Sequence, residues 1–227
     1  MYRCCLLVII FLLAYSSSFA ECECAKSKFQ INLTPGTVFT FSDNKRIAVC
    51  GFKDIHISES QAEYSEFVIS ECGIDTITGF WGVSENVIIF LNNDTLYLKS
   101  QEKLAIGKNF GLIQGTWAVE YMYYYNGILQ RKKAINQELR YTPEQVKATL
   151  KQYNKTKWIT HSENKDAVKN ERMMQLANQL MIATLSGSSI AEQYFYQFGK
   201  KFQPMGGYDE WYSDMADILE FAKLKED

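Results

Sequence analysis

At Thr142 the hydrophobic pattern of this 227-residue chain changes period. Upstream, from Phe29 to Asn136, short runs rich in Val, Ile, Phe, Tyr and Thr are separated by turn residues, the signature of strands. The predicted strands are Phe29–Leu33, Thr37–Ser42, Arg46–Phe52, Glu66–Cys72, Thr76–Gly82, Asn86–Leu91, Thr95–Lys99, Trp117–Tyr125 and Ile128–Asn136. Two hairpins are explicit, one around Asn92-Asn93-Asp94 and one around Asn126-Gly127. Asn-Gly is the preferred pair for a two-residue type I′ turn, because both residues adopt positive φ readily. Such spacing implies an antiparallel sheet closed or doubled into a barrel or sandwich.

Downstream the apolar residues recur at helical spacing. Thr142-Pro143-Glu144-Gln145 combines an N-cap, a proline at the first helical position and a capping-box glutamine. A longer helix is predicted over 166–185, ended by Gly187, and Asn154 to Asn164 reads as a polar linker or a fraying helix end. Ser189-Ile190-Ala191-Glu192 reads as a second capping box, opening a helix with Phe195, Phe198 and Phe202 inward. A last helix over 209–223 carries Trp211, Met215, Ile218 and Leu219 on one stripe. The fold class is therefore α+β, an antiparallel β barrel or sandwich followed by about four helices. The expected division is a leader over 1–20, a β domain with disulfides over 21–140, and a helical region over 141–227 packed on or beside the sheet.

The leader is read from its three parts. Arg3 is a short positive region, Cys4 to Ala14 an unbroken apolar run, and Ser16 to Ala20 a polar segment with small residues before Glu21. That is the pattern of a secretory signal peptide cleaved after Ala20. A membrane span needs roughly 20 apolar residues, and this run is about half as long. The expectation is a secreted or periplasmic protein with no stable membrane insertion after cleavage. An apolar fraction of 47% fits a globular chain, and a net charge of −2 with both signs interspersed leaves no electrostatic footprint for nucleic acid.

Cys22, Cys24, Cys50 and Cys72 remain beyond the leader, an even number in an exported chain, which points to disulfides. Three pairings are open. The Cys22/Cys24 segment is expected to be tied to at least one of Cys50 and Cys72, which end two predicted strands. A C-x-C spacing with only His56 and His161 elsewhere supplies no zinc-ligand set, so no metal and no cofactor are expected.

Catalytic motifs are weak. Ser186-Gly187-Ser188-Ser189 lacks the geometry of a nucleophile elbow and is accounted for as a helix stop and cap. His56 reads as a strand residue facing solvent and His161 as a linker residue. The carboxylate pairs Asp209/Glu210, Asp214/Asp217 and Glu59/Glu63 are the material for a secreted hydrolase. Gly107-Lys108 lacks the rest of a phosphate loop. Asn32, Asn93 and Asn154 begin N-x-[ST] triplets.

The most unusual local feature is aromatic. Alternation along Tyr121-Met122-Tyr123-Tyr124-Tyr125 sends Tyr121, Tyr123 and Tyr125 to one face, joined by Trp117 if the strand is regular. Rings on an exposed sheet face offer contact area at low entropic cost. Gly79-Phe80-Trp81-Gly82 is a second aromatic cluster. The leading functional expectation is a non-catalytic protein that binds a protein, peptide or glycan through Trp117, Tyr121, Tyr123 and Tyr125. The carboxylate hydrolase is the alternative, and a purely structural envelope protein a third.

Overall fold

The computed structural model describes residues 22–25, 36–54, 62–74, 76–81, 86–162 and 166–224. The predicted leader, the run Phe29–Leu33, Asn32, His56, Glu59, Gly82 and Glu163 lie outside the described residues, as do the side chains of Phe80 and Trp81. Among the described residues nine antiparallel strands precede four α-helices, the α+β order expected from the change of period. The chain divides into two compact units, residues 1–84 and 85–227.

The first unit contains β1 (Thr37–Thr40), β2 (Arg46–Asp54), β3 (Ala62–Glu71) and β4 (Ile77–Trp81), each paired antiparallel with the next. Strands β2 and β3 are buried on both faces. Ile47, Val49, Phe67 and Ile69 fill one, and Ala48, Cys50 and Val68 the other. Runs buried on both sides read as continuous apolar stretches, which is why Ile47 to Cys50 shows no alternation of polarity. Gly51 permits the close ladder opposite Phe67: a Cβ there would lie 2.1 Å from the Glu66 carbonyl oxygen and 2.6 Å from Phe67 Cα.

The second buried face is covered by the Cys22–Ala25 segment. Cys22 is bonded to Cys72 and Cys24 to Cys50, with Cα separations of 4.8 and 6.0 Å, inside the usual disulfide range. The ladder excludes one of the three pairings. Cys50 stands opposite Val68, in mid-strand, whereas the Cys72 amide donates to the Arg46 carbonyl beyond the end of β3. The two cysteines are thus four positions apart along the ladder, about 13 Å at strand rise, too far to bond each other. They do not occupy comparable strand ends. Cys22, Cys24, Cys50, Ala48 and Val68 form one small buried cluster with half-buried Cys72 packed against it, and the Ala25 amide donates to Ser70 Oγ at 3.4 Å.

The second unit holds β5 (Asn86–Asn92), β6 (Thr95–Leu104), β7 (Ile113–Gly115), β8 (Ala118–Tyr125) and β9 (Ile128–Ile135). The order is β5-β6-β8-β9. β7, not anticipated from sequence, takes the far end of β6 through Glu102 to Leu104. Both hairpins use two-residue turns with positive φ, Asn93/Asp94 at 47° and 55° and Asn126/Gly127 at 50° and 80°.

Four helices follow: α1 (Pro143–Lys155), α2 (Ala167–Leu185), α3 (Ser189–Phe202) and α4 (Gly207–Lys223). The capping box at α1 forms in full. Gln145 N donates to Thr142 Oγ1 at 3.3 Å, and Thr142 N donates to Gln145 Oε1 at 2.8 Å. At α3 the cap is Ser188, one residue earlier than expected, accepting from the Ala191 amide at 3.2 Å. Two adjacent serines offer the same chemistry, and the tight turn after α2 selects the first. The stretch after α1 is not a plain polar linker: Trp158 packs on Tyr153 and Phe198.

Helix α2 is buried nearly all round from Met174 onward, the mark of a central helix. Its apolar side chains share one core with α1, α3 and α4 and with Leu104, Ala105, Trp117 and Ala118 at the end of the strands. The helices of this unit therefore bury against each other and against β6 and β8. Asn178 stitches the seam, accepting from the Ala105 amide at 2.7 Å and donating to the Lys103 carbonyl at 3.3 Å. Tyr141 donates to the Ala105 carbonyl, and Tyr212 to the Phe195 carbonyl at 3.0 Å.

Burial pushes both phenols up from the ordinary 10.0, Tyr212 to about 12. The folded chain thus holds these protons more tightly than the unfolded one. The contribution to stability is whole below pH 10 and is lost as pH rises toward 12. Alkaline titration followed by phenolate absorbance and circular dichroism is expected to show these two tyrosines ionising with unfolding, in a step absent from the Tyr141→Phe/Tyr212→Phe double variant.

Candidate functional site

Strand β6 places the site because it is paired along both edges. Its residues alternate: Leu96 and Leu98 are buried, while Tyr97 and Lys99 are half-exposed. Antiparallel partners share a face, so the register carries this division across the sheet. Val87, Ile89, Leu96, Leu98 and Met122 line the buried side. On the open side, Phe90 stands opposite Tyr97, Tyr97 opposite Tyr121, Tyr121 opposite Lys132, and Tyr123 opposite Gln130.

These rings touch. Phe90 and Tyr97 stack with centroids 5.1 Å apart and planes within 6°, and Tyr97 meets Tyr121 edge-on at 6.0 Å. Lys99 Nζ lies 5.3 Å from the Phe90 centroid, and Lys132 Nζ 5.4 Å from that of Tyr123. Both are within the range of a cation–π contact. A hydrogen bond with Tyr123 holds the Lys132 ammonium above its ordinary pKa. Tyr125, 65% exposed, and Ile128, 66% exposed, end the row at the hairpin.

The other end of the row opens into a cleft of about 540 Å³. Ile88, Lys99 and Gln101 come from the sheet face, and Thr116, Asn136, Arg140 and Gln145 from the segments beyond. Several of these are already fixed. Gln101 Nε2 donates to Thr116 Oγ1 at 2.7 Å, Asn136 Nδ2 to the Thr116 carbonyl at 2.9 Å, and Arg140 to Gln137 Oε1 at 3.1 Å.

Of the four residues singled out in the sequence, Tyr121, Tyr123 and Tyr125 lie on this open face, and Trp117 does not join them. Between Gly115 and Ala118 the strand is interrupted, and such a break re-aims a side chain. Trp117 is 9% exposed, packs edge-on against Phe221 at 6.0 Å, and donates its indole N–H to Glu102. Lys133 covers its outer face at 4.1 Å. Phe90 and Tyr97 were not singled out in sequence, because cross-strand pairing is what brings them beside Tyr121. Their odd-with-even registers across the Asn93-Asp94 turn are the signal that finds them.

The carboxylate pairs of α4 are arranged differently. Asp209, Glu210, Asp214 and Asp217 are all exposed, on the solvent side of the helix. His161 is packed rather than solvated, edge-on to Tyr208 at 5.1 Å and tilted on Phe202 at 5.5 Å, with its amide donating to the Phe202 carbonyl. Among the described residues no cluster of His, Cys, Asp or Glu is placed to hold a metal ion, and no helix is long and apolar enough to cross a membrane. Asn93 and Asn154, which begin two of the N-x-[ST] triplets, are both exposed.

Truncating the core indole and the rim phenol separates the two environments. Trp117→Ala is expected to lower stability by about 3–5 kcal/mol, and Tyr125→Ala to leave it within about 0.5 kcal/mol. Chemical denaturation of the two variants measures both.

No protein-family model matches the chain, no curated protein matches it, and no solved structure matches its fold.

Proposed function

We propose that this chain is an exported, non-catalytic binding protein that holds an extended ligand, glycan or peptide, on the Phe90–Tyr97–Tyr121–Tyr123 face. The observation that carries the reading is the continuity of half-exposed rings across three strands. A sheet face that merely covered a core would bury them, as the opposite face buries Leu96, Leu98 and Met122. The scaffold suits binding, since the rings stand on paired strands and not on loops, so little entropy is lost on contact. Export is supported by the leader pattern and by two disulfides, which persist in oxidising compartments.

Two experiments test the two halves. The native protein is expected to begin at Glu21 with both disulfides intact by mass spectrometry, and a reduced chain retaining Met1 in the cytosol contradicts export. The oxidised protein is expected to give hits on arrays of glycans and peptides that vanish for Tyr97→Ala/Tyr121→Ala. They are expected to persist for Asp217→Ala, on the outer side of α4. Hits unchanged in the tyrosine variant exclude this face.

A further inference from the structure

The charge pattern of the aromatic face narrows the ligand. By register the open-side positions of β5, β6, β8 and β9 hold Lys99 and Lys132 beside the rings, and no aspartate or glutamate. Glu120 points to the other side and is held by Arg131 at 2.6 Å. The chain as a whole is net negative, so a face with lysines and no acid departs from the average surface. Among the described residues neither Lys99 nor Lys132 is in a salt bridge. The cleft continues the bias with Arg140, against one carboxylate, Glu138.

The backbone excludes one mode of recognition. Rings on β6 and β8 stand on strands whose main-chain groups are spent on both neighbours, so a peptide cannot add as a further strand there. A ligand lying over these two strands is read by ring faces, ammonium groups and side-chain amides. From Tyr125 to Val119 the track runs about 20 Å at strand rise. Flat rings with electron-rich faces match the C–H faces of sugar rings, and flanking ammonium groups match carboxylates on those sugars.

Resting on the binding role above, we propose that the ligand is an anionic glycan, a chain of carboxylate-bearing sugars. Its rings lie along Tyr123, Tyr121, Tyr97 and Phe90, and its carboxylates meet Lys132 and Lys99 as it enters the cleft toward Arg140. The steps are association only, with no bond made or broken.

The test is calorimetry of the disulfide-bonded protein with oligomannuronate, a neutral mannan oligosaccharide of equal length, and poly-L-glutamate. Oligomannuronate is expected to bind best, and more weakly as salt rises. Lys99→Gln and Lys132→Gln are each expected to weaken it about two- to fivefold, the range of an exposed ion pair, with unchanged melting. Tyr97→Ala/Tyr121→Ala is expected to lose at least about tenfold. Equal affinity for the neutral sugar overturns the anionic assignment and leaves the binding role standing. Preference for poly-L-glutamate replaces the glycan by an acidic peptide. Oligomannuronate binding that ignores both tyrosines removes the face as the site and takes the binding role with it. Binding of none of the three overturns this ligand class, and the arrays then decide the role itself.

Discussion

The pleat of β6 is the constraint on which the second unit rests. A strand paired on both edges has no freedom to rotate, so burying Leu96 and Leu98 obliges Tyr97 and Lys99 to face the other way. Pairing transmits that choice to Phe90 on one side and Tyr121 on the other. The same strand ends in Leu104 and Ala105, where Asn178 and Tyr141 attach the helices. One element thus positions both the candidate surface and the core that keeps it rigid.

The first unit solves a different problem. Its two central strands are apolar on both faces, and a short chain has little material with which to cover them. The Cys22–Ala25 segment covers one face, and two disulfides hold it there. Bridges of this kind act mainly by restricting the unfolded chain, and more so for long loops such as the separations of 26 and 50 residues here.

Much of this is written locally in the residues. The Asn126-Gly127 turn, the Thr142 capping box and the stripe of α4 each need only a few neighbours, and each forms where its residues stand. Alternation correctly separates Tyr121, Tyr123 and Tyr125 from Met122. What was not legible depends on distant partners. The break at Thr116 and Trp117 arises because β6 is shared end to end by β7 and β8, and no property of Trp117 announces it. The stacking of Phe90 on Tyr97 and the exclusion of a Cys50–Cys72 bridge likewise follow from register. Ser188 displaces Ser189 as cap through the geometry of a turn, not through residue type.

Hydroxyl-radical footprinting of the native protein, resolved by residue, addresses the register most directly. The account predicts oxidation at Tyr121, Tyr123 and Tyr125, with protection of Trp117 and of Met122, which is 1% exposed. Strong oxidation of Met122 with protection of Tyr121 and Tyr123 would contradict it, since a slip of one residue turns the whole aromatic row inward.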